Sequence, residues 1–126
     1  MTWTPQQLAD FAVARDCRIA PFREDGKTPG TPTVVWSVVS GSDLYVRAYS
    51  GTHSSWYQAA LREQAGQLHL DGLTRDVRFE AVLAHAEVQD GIDVAYRDKY
   101  RTSSYLGSMV SPQARAATVR VLPRQD

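Results

Sequence analysis

Residues 33–49 read TVVWSVVSGSDLYVRAY, and the fold turns on them. In an extended chain Val34, Trp36 and Val38 share one face, while Thr33, Val35, Ser37 and Val39 share the other. Both faces are mostly apolar, so residues 33–40 read as a central strand buried on both sides. Gly41-Ser42 follows, a two-residue loop with glycine first, which signals a type II′ hairpin. The returning strand, residues 43–49, places Leu44, Val46 and Ala48 on one face and Tyr45, Arg47 and Tyr49 on the other.

The flanking sequence extends the pattern in both directions. Upstream, Thr4 is a helix N-cap and Pro5 occupies the first helical position, where its missing N–H costs nothing. This helix is expected to end near Arg15, before a short strand over residues 17–22. Residues 23–32 are a loop with two turn signals, Asp25-Gly26 and Pro29-Gly30. Downstream, the polar link SGTHSS (residues 50–55) leads into a helix over residues 56–63. A strand at 67–70, the turn Asp71-Gly72 and a long strand at 75–85 come next, with Val77, Phe79, Ala81 and Leu83 on one face. Residues 91–101 form an amphipathic helix carrying Ile92, Ala95 and Tyr96; Ser111-Pro112 opens a short helical turn, and residues 118–122 close the chain as a strand. Strands joined mainly by hairpins argue against a doubly wound sheet. The expected fold is mainly β (α+β): a six-stranded antiparallel barrel with peripheral helices, one domain over residues 1–126.

Composition narrows the function. Hydrophobic residues are 43% and charged residues 22% of the chain, too apolar for a disordered protein. Fourteen basic residues balance fourteen acidic ones, so no global field draws the protein to nucleic acid or anionic lipid. Trp36, Tyr45, Trp56 and Tyr57 are therefore assigned to packing rather than to a base-stacking platform. The single cysteine, Cys17, cannot form an internal disulfide and fits a reducing compartment, so a cytoplasmic protein is expected. No apolar run is long enough to span a membrane, and the polar start MTWTPQQLADF lacks the features of a signal peptide.

Chemistry concentrates in residues 45–57, YVRAYSGTHSSWY. A strand ends, a small polar loop follows and a helix begins. Ser50, Thr52, Ser54 and Ser55 offer hydroxyls, His53 an imidazole, and the helix start its unpaired amides and partial positive charge. Arg47, just before the loop, can fork two hydrogen bonds onto a phosphate. The alternative is a plain helix cap by Ser54 or Thr52, a solvated His53 and a surface ion pair for Arg47. A second segment, YRDKYRTSSY (residues 96–105), puts Tyr96, Lys99 and Tyr100 on one helical face. A tyrosine with its pKa lowered by that lysine would donate a proton. The alternative is ring packing, with Tyr96, Tyr100 or Tyr105 at most lining a pocket. His53, His69 and His85 lack metal-ligand spacing, so no metal is expected. Cys17 at a strand start reads as a buried, inert thiol. Ser108 lacks the flanking residues of a nucleophile elbow.

The run TPTVVWSVVSGSDLYVRAYSGTHSSWYQAA resembles the core of the split-barrel flavin and deazaflavin proteins, which include pyridoxamine phosphate oxidases and deazaflavin-dependent nitroreductases. The resemblance lies in Pro32, the Gly41-Ser42 turn, Tyr45-Val46, Gly51 and Trp56-Tyr57. The C-terminal run from Ala95 to Arg124 resembles a family of small bacterial proteins described only as a domain of unknown function. The resemblance implies a split barrel, a homodimer, and FMN or a deazaflavin coenzyme near the dimer interface. It places the cofactor phosphate at Arg47, Ser50, His53, Ser54 and Ser55, and the ring near Thr33, Val35 and Trp36. Flavin-binding relatives often carry a lysine or arginine in this loop, where this chain has Gly51, Thr52, His53, Ser54 and Ser55.

Two functions follow as expectations. One is a flavin- or deazaflavin-dependent oxidoreductase acting on a small organic substrate, with the cofactor carrying the chemistry. The other keeps the barrel and loses the redox site, leaving a small-molecule-binding protein, or a cyclase or isomerase.

Overall fold

The computed structural model describes residues 2–124. The elements run α1 (Pro5–Val13), β1 (Cys17–Pro21), β2 (Thr33–Val34), β3 (Trp36–Ser40), β4 (Asp43–Arg47), a 3-10 turn (Gly51–His53), α2 (Ser55–Glu63), β5 (Ala65–Leu70), β6 (Leu73–Val82), α3 (Val88–Lys99), α4 (Leu106–Met109), α5 (Pro112–Ala116) and β7 (Thr118–Pro123). The fold is mixed α+β. Seven strands form one sheet in the order β2-β1-β5-β6-β7-β4-β3, curled into a half-barrel. Every pairing is antiparallel.

Seven strands replace the expected six because the segment read as one central strand is two. Thr33 and Val34 pair with β1, whereas Trp36–Ser40 pairs with β4. Val35 between them donates its N–H to the Cys17 carbonyl at 3.0 Å. Strands at opposite ends of the sheet order are thus consecutive in the chain, and the curl brings both ends to Val35. Side-chain alternation reports which face a residue takes, not which neighbour its backbone bonds. Val34 is accordingly exposed, although the strand was expected to be buried on both sides.

Local signals act where the sequence places them. Ser40 pairs with Asp43 around Gly41, which takes a φ of +60°. Asp71 and Gly72 both have positive φ, the requirement of a type I′ turn between β5 and β6. Thr4 and Gln7 form a capping box at α1: the Gln7 amide donates to Thr4 Oγ1 and the Thr4 amide to Gln7 Oε1. Ser111 Oγ accepts from the Ala114 amide at the start of α5.

The sheet is buried on both faces along β3 and β4. On the inner face Ile19, Leu44, Val46, Leu68, Val77 and Phe79 pack with Phe11 of α1 and Ala60 of α2. On the outer face Val38, Tyr45 and Val82 pack with Ile92 and Tyr96 of α3. Ala81 and Leu83, expected beside Val77 and Phe79, are exposed. β6 ends at Val82, which belongs to the opposite face and meets α3.

One polar side chain joins these layers. Arg47, at the end of β4, is 1% exposed. Its Nε donates to Thr118 Oγ1 on β7 at 3.0 Å. Nη1 donates to Asp93 Oδ1 on α3 at 2.6 Å and to the Met109 carbonyl of α4 at 2.9 Å. Nη2 donates to Gln89 Oε1 at 2.6 Å and to the Gln89 carbonyl at 3.5 Å. The second Asp93 oxygen takes Arg115 Nη1 at 3.2 Å, and Arg115 continues to Asp90.

Removing one partner of a buried pair leaves the other charged and unsatisfied, at a cost of about 3–5 kcal/mol. Arg47→Met is expected to lose about that much stability in urea unfolding. Arg47→Lys is expected to recover little, because an ammonium cannot reproduce the five-donor fork. The double variant Arg47→Met with Asp93→Leu is expected to be more stable than Arg47→Met alone.

Candidate functional site

Where β4 ends, the chain turns through Ala48–Ser50 into the 3-10 turn and α2. Gly51 shapes this turn: its φ is +83°, and a Cβ there would sit 2.5 Å from Gln113 Cγ. Gln113 in turn donates to the Tyr49 carbonyl at 3.2 Å, so α5 braces the loop from behind. The first amides of α2 have no intrahelical acceptor, and the N-cap residue Ser54 makes no side-chain capping bond. The expected alternative of a Ser54 cap is therefore not what the loop adopts. The Gln58 side-chain amide instead holds the Thr52 carbonyl at 3.2 Å.

In front of this turn lies a cavity of about 620 Å³. Thr33, Val34, Val35 and Trp36, from β2 to the start of β3, line it. So do Ala48, Tyr49, Ser50, Ser54, Ser55 and Trp56 around the β4–α2 junction, together with Arg47, Tyr105 and Met109. The structure thus gathers most of the residues singled out in the sequence: Thr33, Trp36, Arg47, Ser50, Ser54, Ser55 and Tyr105. His53 is exposed and is not part of the wall. Tyr49 and Trp56 were missed as site residues. Both follow from the strand-to-helix reading, since they flank the polar loop. Met109 carried no signal, because only the folding back of α4 brings it near Trp36.

The role expected of Arg47 needs correction. It reaches the cavity wall, but its guanidinium faces α3 and β7, and all five of its N–H donors are engaged. It cannot fork onto a ligand phosphate without abandoning a buried carboxylate. It does pair with an acid, as the plainer reading held, although the pair is buried rather than on the surface.

Tyr96 and Tyr100 also take a different place from the one expected: they stand behind the cavity wall. Tyr96 donates to the Trp36 carbonyl at 2.5 Å and Tyr100 to the Ser37 carbonyl at 2.9 Å. Tyr100 stacks on Trp36 with ring centroids 4.6 Å apart, and Tyr96 stacks on Tyr100 at 5.9 Å. This pile holds the Trp36 indole against the cavity. Burial drives the Tyr96 hydroxyl well above the ordinary tyrosine range and pushes Tyr100 up to about 12. Lys99 does not activate either hydroxyl. Its Nζ donates to the Phe11 and Ser37 carbonyls at 3.2 and 2.9 Å, and burial lowers its pKa to about 8. Tyr105 alone of the three lines the cavity; it is 67% exposed and meets Trp36 edge-on at 6.3 Å.

Other reactive groups lie apart. His69 is on β5, His53 on the 3-10 turn and His85 beyond β6. Among the described residues no group of three or more His, Cys, Asp or Glu side chains is placed to hold a metal ion. Among the same residues no helix is long and apolar enough to cross a membrane. Cys17 is buried, and that burial pushes its thiol up to about 12. Native protein is therefore expected to resist iodoacetamide near neutral pH, while urea-unfolded protein reacts at an ordinary thiol rate. Mass spectrometry before and after unfolding checks this.

Comparison with known proteins adds one assignment. No curated protein matches the sequence. A family does, over residues 7–121, a span that runs from within α1 into β7 and includes every residue lining the cavity. The chain belongs to that family, described as "Uncharacterized protein conserved in bacteria (DUF2255)".

Proposed function

We propose that the half-barrel is a split barrel that binds a planar, nucleotide-type redox cofactor, FMN or a deazaflavin coenzyme, and serves as an oxidoreductase on a small organic substrate. The observation that carries this reading is the cavity at the β4–α2 junction. It is walled by Trp36, Trp56, Tyr49 and Tyr105, and it meets the uncapped start of α2. Flat aromatic walls suit a ring system, with each stacked or edge-on pair worth about 0.5–1.5 kcal/mol. The hydroxyls of Ser50, Ser54 and Ser55, with the α2 amides, suit an acceptor-rich tail. The sequence resemblance to split-barrel flavin and deazaflavin proteins supports the same choice.

The residues present fit the ring better than the phosphate. Trp36, backed by Tyr100, would hold one side of the ring system, and Tyr105 and Tyr49 would cover it at the mouth. A bound flavin or deazaflavin supplies hydride exchange with the substrate. Tyr96 and Tyr100 keep their protons, so a proton needed in the reaction comes from solvent or from Tyr105 at the cavity.

The engagement of Arg47 favours a second reading: the same cavity holds a non-redox metabolite, for binding or for a cyclase or isomerase reaction. In either case we infer a homodimer. Val34, Tyr49 and Tyr105 are exposed apolar or aromatic side chains on the cavity wall, and a second copy laid over the mouth would cover them.

Titration with FMN and with a deazaflavin is expected to quench tryptophan fluorescence and to shift the cofactor absorbance. Tyr105→Ala and Tyr49→Ala, both at exposed side chains, are expected to weaken binding about three- to tenfold while leaving the urea midpoint unchanged. Folded protein that binds neither cofactor at high concentration rules out the first reading. A co-purifying ligand without redox activity establishes the second. Light scattering at micromolar concentration is expected to give twice the 14.0 kDa of one chain, and a mass of 14.0 kDa refutes the dimer.

A further inference from the structure

We infer that the cavity discriminates between ligands by charge, preferring a neutral or singly anionic tail to a doubly charged phosphomonoester. This rests on the reading of the cavity as a site for a flavin-type ring, and it adds the class of ligand within that reading. Among the described residues, Arg47 is the one Lys or Arg side chain on the cavity wall. Its guanidinium is already matched. Two guanidiniums, Arg47 and Arg115, are joined to two carboxylates, Asp93 and Asp90, so the network presents no net charge. Turning Arg47 toward a phosphate would break its bonds to Asp93 and Gln89, both buried, and leave Asp93 with Arg115 as its remaining cation.

What remains for an anion is dipolar: the hydroxyls of Ser50, Ser54 and Ser55, and the start of α2. A helix start offers about half an elementary charge. That suits one negative charge spread over two oxygens, as in a phosphodiester or a carboxylate. It does not compensate the desolvation of a second charge beside Trp36, Trp56 and Val35.

Three probes with one ring separate the possibilities: riboflavin, riboflavin 4′,5′-cyclic phosphate and FMN. They carry no charge, one charge and two charges at about pH 8, where a phosphomonoester is ionised twice. The cyclic phosphodiester is expected to bind at least about tenfold tighter than FMN, and FMN no tighter than riboflavin. Ser55→Lys, at an exposed position on the cavity wall, is expected to tighten FMN about tenfold with riboflavin unchanged. FMN binding tightest to the native protein, or no gain for FMN in the Ser55→Lys variant, overturns the charge selection and leaves the ring site standing. Failure of all three probes to bind overturns the ring site and the selection together.

Discussion

Arg47 leaves the end of β4 and buries its guanidinium where α3, α4 and β7 converge. A guanidinium can be buried there only if each of its donors finds an acceptor and its charge finds a carboxylate. Thr118, Asp93, Gln89 and the Met109 carbonyl supply them. The condition works in both directions. The arginine is tolerated because the helices are in place, and its bonds in turn tie α3 and α4 to the sheet.

The site inherits its shape from that joint. The hold on the Met109 carbonyl fixes α4, and α4 carries Tyr105 and Met109 to the cavity. The orientation of α3 brings Tyr96 and Tyr100 beneath β3, where their rings and hydroxyls set the Trp36 indole. A residue suited to hold a ligand phosphate thus builds the wall against which a ligand would lie. The same engagement removes the strongest cation from the cavity and leaves hydroxyls and amide dipoles in its place.

Much of this was legible along the chain. Thr4-Pro5, Gly41-Ser42, Asp71-Gly72 and Ser111-Pro112 act within a few residues, through φ values and side-chain-to-backbone bonds that tertiary contacts leave intact. The polar loop between Tyr49 and Trp56 was legible for the same reason, and it does border the cavity. The break at Val35 was not, because face alternation runs unchanged through a strand that exchanges one hydrogen-bonding neighbour for another. The end of β6 at Val82 was missed in a similar way: Ala81 and Leu83 continue the pattern, but no element covers them.

The sequence by itself determined the turns, the starts of α1 and α5, the mixed α+β class and the cluster of hydroxyls and aromatics after β4, since each rests mainly on near neighbours in the chain. Tertiary structure decided the partners. Arg47 and Asp93 are forty-six residues apart, Arg47 and Thr118 seventy-one, and Tyr100 reaches Ser37 across sixty-three. Whether a guanidinium faces a cavity or a buried carboxylate depends on which groups the curled sheet brings within 3 Å of it. Charge and hydrogen-bond energies change so steeply over that distance that no local pattern can carry the answer.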